Sequence, residues 1–221
     1  MNYIFDLDGT LLDTLSDLTA AVNHALSLHS LSAKTKDEVR RYLGNGYARL
    51  IGDITGYGET DERTRAILAD FQAYYEQHLA DLTAPYDGIV SMLESLREQG
   101  AKIGIVSNKG NEAVQQLAAR FFDGLVDVAV GESLTVRRKP NPDALLEVMR
   151  TLGCTAADAL YIGDSEVDIE TARRAGIPCL SCTWGFRTEE FLREHGAQRF
   201  VHRPGEIVGE EGGARSGAHY A

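Results

Sequence analysis

The stretch Tyr3-Ile4-Phe5-Asp6-Leu7-Asp8-Gly9-Thr10 decides the fold class. A short apolar run begins almost at the N-terminus and ends in two carboxylates separated by one residue. Open α/β sheets place their chemistry at the carboxyl ends of strands, so a strand that delivers acids there is informative. The pattern recurs downstream. Strands are predicted over 102–106, ending at Ser107, over 125–130, over 159–162, ending at Gly163-Asp164, over 178–182, and over 199–201. Amphipathic spacing fills the intervals, for instance over 89–98 and 111–119. Strands alternating with helices predict an α/β fold, a Rossmann-like parallel sheet with helices on both faces.

Residues 14–82 break the alternation. Leu15, Leu18, Ala21, Val22, Ala25 and Leu28, then Ile67, Leu68, Phe71 and Tyr75, follow helical spacing, and no strand pattern interrupts them. A small all-α module inserted after the first strand is expected, with a core of 1–13 and 83–221 resuming near Pro85-Tyr86-Asp87-Gly88. A length of 221 residues accommodates one core plus such a module. With 43% apolar and 25% charged residues the composition is that of a globular protein. The net charge of -11 argues against a nucleic-acid partner and requires any anionic ligand to meet a local cation. No apolar run approaches membrane-spanning length and no basic leader is evident, so a cytoplasmic protein with no membrane partner is expected. Cys154, Cys179 and Cys182 are too few and too clustered for a disulfide framework and read as core residues. The tail from about Gly209 lacks periodicity and is expected to be loose.

Four separate segments fall at predicted strand ends: Asp6 and Asp8; Ser107-Asn108; Lys139, in Arg137-Arg138-Lys139-Pro140-Asn141-Pro142; and Asp164 with Asp168. Neighbouring strands lie about 4.8 Å apart, so such ends can converge on one small ligand. Carboxylates gathered at one point repel each other unless a cation joins them. An oxygen-only set without His or Cys suits Mg²⁺. Lys139 adds a second cation, while Ser107 and the N–H groups of the following helix suit phosphoryl oxygens. Positioning and charge stabilisation of this kind serve phosphoryl transfer.

Asp6-Leu7-Asp8-Gly9-Thr10-Leu11-Leu12-Asp13-Thr14 resembles the first motif of the haloacid dehalogenase superfamily. Ser107, Lys139 and Gly163-Asp164 with Asp168 are similar to its second, third and fourth motifs, in order. The resemblance implies a phosphatase with a helical cap. It implies that Asp6 is nucleophile and metal ligand, and that Asp8 is general acid–base with its backbone carbonyl on the metal. Ser107 and Lys139 would bind the transferring phosphoryl group, with Asn108 and Gly9 beside them. Asp164 would complete the Mg²⁺ site, and Asp168 would orient Lys139 or a metal-bound water. An acid at position 8 disfavours dehalogenation. The segment Tyr42-Leu43-Gly44-Asn45-Gly46-Tyr47 resembles the cap loop of phosphoglycolate phosphatases, as do Ser107-Asn108-Lys109 and Thr183-Trp184-Gly185-Phe186. Gly44, Asn45 and Gly46 are therefore expected to select the substrate, a small anionic phosphate ester such as 2-phosphoglycolate.

Local alternatives stay open. Ser107 or Asp164 could cap a helix, Asp168 could be a first-turn acid, and Gly44-Asn45-Gly46 could end a helix. Trp184 and Phe186 suit either the site entrance or the core. The six histidines show no ligand spacing, although His24 could face the site. The same motifs serve pyrophosphatases, sugar-phosphate phosphatases and phosphomutases. A phosphonate hydrolase would need a cap lysine, but Lys34 and Lys36 lie in a polar stretch that reads as an exposed linker. A phospho-receiver module shares the acids and lysine, but it needs no acid–base at position 8 and no helical insert. A homodimer is an open expectation.

Overall fold

The computed structural model describes residues 1–210. Among them, six strands form a parallel sheet in the order β5-β4-β1-β6-β7-β8. These are β1 (Asn2–Phe5), β4 (Ile103–Gly110), β5 (Val128–Glu132), β6 (Ala159–Gly163), β7 (Cys179–Cys182) and β8 (Phe200–Val201). β1 is central, paired in register with β4 through Tyr3–Ile103 and with β6 through Tyr3–Leu160. A strand covered on both faces reads as an uninterrupted apolar run, which is why Tyr3-Ile4-Phe5 shows no polar alternation. Its side chains nevertheless divide by face. Tyr3 and Phe5 join one core with Ile105 and Ile162, whereas Ile4 joins another with Val106 and Tyr161.

Helices α5 (Ile89–Glu98) and α6 (Asn111–Phe122) supply Met92, Leu93, Val114 and Leu117 to the first core. Helices α7 (Asp143–Leu152) and α8 (Glu166–Ala175) supply Leu145, Val148 and Ala172 to the second. Both faces are thus covered, and the expected α/β architecture is the one observed. A short helix α9 (Glu189–Glu194) precedes β8.

Helices α1 (Leu15–Leu28), α2 (Lys36–Arg40), α3 (Tyr47–Thr55) and α4 (Glu62–His78) lie between β2 (Leu12–Asp13) and β3 (Ala84–Pro85). β2 and β3 pair antiparallel, Leu12 against Pro85 and Asp13 against Ala84. Chain departure and return are therefore side by side. Buried Asp17 in the first turn of α1 reinforces them, accepting hydrogen bonds from Leu82 N, Thr83 N and Thr83 Oγ1 at 2.8–3.0 Å.

Three expectations shift. Helix α6 continues to Phe122, and Leu125 N still donates to Phe122 O, so the next strand begins at Val128 rather than 125. Glu210, expected to lie in a loose tail, is tied to the core: Tyr3 OH donates to Glu210 O at 3.0 Å, and Glu210 also pairs with Arg199. The rest of that tail, with His219, lies outside the described residues. The three cysteines are free, and Cys182 is buried, whereas Cys154 and Cys179 are only partly so. No helix among the described residues is long and apolar enough to cross a membrane.

Candidate active site

Asp6 directly follows β1, and its N–H continues the ladder by donating to Ile162 O at 2.8 Å. Its Oδ1 lies 2.8 Å from Lys139 Nζ. Lys139 arrives from the loop before α7 and also pairs with Asp168 Oδ1 at 2.7 Å and donates to Tyr161 OH at 3.1 Å. Tyr161 OH donates to the same Asp168 oxygen at 2.9 Å. The other oxygen of Asp168 accepts from Ser165 N and Oγ, forming the capping box of α8. Asp168 is thus a first-turn acid and a partner of Lys139 at once, through different atoms. Ser165, not Asp164, is the N-cap.

Asp164 accepts from Thr10 Oγ1 at 3.2 Å and from Phe186 N at 2.7 Å. Gly9 has φ +83° beside it, and a Cβ there would collide with the Asp164 carboxylate and the Phe186 ring. Ser107 Oγ accepts from Lys109 N at 3.1 Å and donates to Asp8 Oδ2 at 3.3 Å. It does not cap α6, whose N-cap is Gly110 without a side-chain bond. Asn108 joins three segments: its Nδ2 donates to Lys139 O and Gly44 O, and its Oδ1 accepts from Lys139 N at 2.6 Å.

Asp6, Asp164 and Asp168 offer carboxylate oxygens within 4.8 Å of one another. Their charges do not balance locally. Burial, then repulsion from Asp168, pushes Asp6 well above the usual carboxylate range, against the attraction of Lys139. Burial and Asp168 raise Asp164 to about 7. Burial also acts against Asp168 as an anion, but Lys139 and the Ser165 and Tyr161 hydrogen bonds overcome it and hold its carboxyl low. Lys139 itself is held above its ordinary value, because Asp168 and Asp6 outweigh the effect of burial. One ammonium thus faces both Asp168 and Asp6, but only Asp168 is held low, while Asp6 and Asp164 stay crowded and desolvated. An oxygen-only pair in that condition fits a hard divalent cation.

Four residues were given no individual role by the sequence reading. Lys109, 2% exposed, has Nζ 3.0 Å from Asp8 Oδ1 and donates to Tyr75 OH at 2.6 Å and Tyr47 OH at 3.0 Å. Arg187 donates to Glu166 and to the carbonyls of Arg40 and Leu43 in the helical insert. The signal available was position: Lys109 follows Ser107-Asn108, and Arg187 follows Thr183-Trp184-Gly185-Phe186.

The acids enclose a cavity of about 40 Å³ also lined by Leu43, Gly44, Gly46, Tyr47 and Phe186. Asn45 lies instead on an outer cleft with Arg41 and Arg49. Gly46 is the N-cap of α3, so this turn starts a helix rather than ending one. Trp184 Nε1 donates to Thr10 O at 3.0 Å, away from the acids. His24 stacks on Tyr74 at 4.2 Å, and Lys36 donates to Ser16 Oγ on the surface.

A family model described as haloacid dehalogenase-like hydrolase matches residues 3–182, a span that includes every strand end described above except that of β8. The chain belongs to this hydrolase family. Phosphoglycolate phosphatase 1 of Pseudomonas aeruginosa is 37% identical over 194 residues, covering 83% of this chain and 69% of the relative. Phosphoglycolate phosphatase of Xanthomonas campestris is 33% identical over 186 residues, covering 83% of each. A solved Lactobacillus delbrueckii structure, provisionally named a phosphoglycolate phosphatase, superposes with TM-score 0.89 at 34% identity, covering 94% of this chain and 96% of that one. The family resemblance and the fold read from the motifs are therefore met. This haloacid dehalogenase-like hydrolase has relatives that are, by name, phosphoglycolate phosphatases.

Proposed function

We propose that this hydrolase removes phosphate from a small anionic monoester, 2-phosphoglycolate first among them, with Mg²⁺ and through an aspartyl-phosphate on Asp6. The observation that carries this reading is the convergence of Asp6, Ser107, Lys139 and Asp164 from four separate segments around one cavity. The names of the relatives support the choice of ester. The bound cation would be held by Asp6, Asp164 and the Asp8 carbonyl, and would supply charge neutralisation for both the carboxylates and the phosphoryl oxygens.

The rest follows from side chains. An Asp6 oxygen attacks phosphorus, and the bond from phosphorus to the ester oxygen breaks. Asp8 donates its proton to the departing oxygen, then removes one from the water that cleaves the aspartyl-phosphate. Phosphate leaves and Asp6 is again a carboxylate. Ser107, Lys139 and the N–H groups after β4 hold the phosphoryl oxygens through both steps.

Residues 14–82 act as a cap over a core of 1–13 and 83–221. Leu18, Leu43, Tyr47 and Leu50 of the insert close a cavity of about 40 Å³, which favours a substrate with a short leaving group that enters when the cap opens. The test is phosphate release with Mg²⁺ from 2-phosphoglycolate, pyrophosphate and a panel of sugar phosphates. Fastest release from 2-phosphoglycolate supports the reading. Preference for another member reassigns the substrate, and no release from any of them ends the phosphatase proposal.

A further inference from the structure

We propose that Lys109 is a positioning residue that fixes the Asp8 carboxylate for proton transfer, and that Tyr47 and Tyr75 make this alignment depend on closure of the helical insert. The inference rests on the phosphatase reading and gives a role to residues that the motif resemblance left without one. Three partners meet the Lys109 ammonium: Tyr75 OH at 2.6 Å, Tyr47 OH at 3.0 Å and Asp8 Oδ1 at 3.0 Å. The two phenol contacts are hydrogen bonds and the carboxylate contact is a close ion pair. Burying it is costly without such partners, and a buried ion pair by itself adds little net stability. Placement of the carboxylate is what the arrangement achieves.

The two oxygens of Asp8 are held separately. Lys109 Nζ forms an ion pair with Oδ1 at 3.0 Å, and Ser107 Oγ donates to Oδ2 at 3.3 Å. The holders are themselves linked, since Lys109 N donates to Ser107 Oγ at 3.1 Å. When the phosphoryl group takes the single Ser107 proton, the Lys109 ammonium is what restrains the Asp8 carboxylate about its Cβ–Cγ bond and keeps it aimed at the ester oxygen or the incoming water.

Both tyrosines belong to the insert. Tyr47 is the first residue of α3 and Tyr75 lies in the last turns of α4. Their rings pack on Phe71, at 4.9 and 5.6 Å between centroids, so the hydroxyls are held by a packed aromatic group. When the insert lifts, both hydroxyls leave together and the ammonium loses two of its three partners. Asp8 is then aligned only while the site is shut and bulk water is excluded.

A kinetic double-mutant cycle on the full chain tests this, using Lys109→Met, Tyr75→Phe and the pair, with 2-phosphoglycolate and Mg²⁺ and a thermal melt of each variant. Lys109→Met should lower kcat by about 10²-fold, the scale of a small misplacement of a reacting group, with KM within about 2-fold. Tyr75→Phe, which keeps the ring, should lower kcat by roughly 3- to 10-fold, the worth of one hydrogen bond. The pair should be no slower than Lys109→Met alone. Unchanged kcat, a loss confined to KM, or effects that multiply would overturn the inference. If Lys109→Met does not fold, Tyr47→Phe/Tyr75→Phe decides: a kcat loss at constant KM supports the proposal, and wild-type kcat refutes it. An inactive wild type sinks the phosphatase reading together with the inference. An active wild type with indifferent variants sinks the inference alone.

Discussion

In the proposed mechanism Asp6 carries two demands that conflict in the bare protein: it would attack phosphorus as an anion, yet burial and Asp168 press it toward the neutral form. Asp6→Asn is expected to abolish phosphate release while leaving the metal-free melting temperature at or above that of the parent, because it removes a crowded charge. A calorimetric scan beside the activity assay checks both halves. Asp8→Asn should keep the Mg²⁺-induced rise in melting temperature and cut turnover by roughly 10²–10⁴-fold, the usual reach of acid–base catalysis. Near-parental turnover would remove Asp8 from the mechanism. Lys139→Met leaves Asp168 and Asp6 buried without their ammonium, and urea titration should report a loss of about 3–5 kcal/mol. At this scale the acids, Ser107 and Lys139 were legible because each closes a strand or stands in a recognisable motif. Lys109 was not, since a lysine beyond a strand end ordinarily points to water.

The strand itself explains that miss. Ser107, Asn108 and Lys109 are consecutive and all buried, at 3%, 8% and 2% exposure, and they continue the unbroken burial of 103–106 in a strand covered on both faces. Pairing of β4 with β5 is irregular between Val106 and Gly110, so the three residues lie outside the regular ladder with β5. A one-dimensional pattern cannot announce such a break. The displaced start of β5 has a similar origin: Val126 fits a strand, but its N–H is engaged in the turn that closes α6. Helical elements were easier to read, because the 3.6-residue period of α1 and α4 survives over many turns. The junction of the insert with the core depends on Asp17. Asp17→Ala strips the Thr83 N–H of its acceptor in a buried setting and should cost about 1–3 kcal/mol in chemical denaturation. A cost below that range would show that the β2–β3 pair holds the junction unaided.

Across the whole molecule, a net charge of -11 meets a site that needs positive charge. A bound dication should therefore stabilise the fold by linkage, by about 2.7 kcal/mol at a hundred times its Kd. Mg²⁺ should raise the melting temperature, EDTA should reverse the rise, and Asp164→Asn should abolish it. An unmoved melt would argue against this metal site. The sheet and its motifs could be read from local patterns, because each strand end announces itself within a few residues. Contacts between insert and core could not. Arg187 reaching the Arg40 and Leu43 carbonyls, Asn108 reaching Gly44 O, and Arg138 pairing with Glu59 join residues whose proximity exists only after folding.

The short ladder between Leu12-Asp13 and Ala84-Pro85 has a modular consequence. Because the two crossing points are zipped together, the helices between them form a cassette that can be exchanged through two neighbouring splices. A chimera carrying another donor's cassette would keep the phosphoryl chemistry of its sheet and acquire the donor's taste in esters. Its success would turn on whether the graft offers Lys109 a pair of phenols.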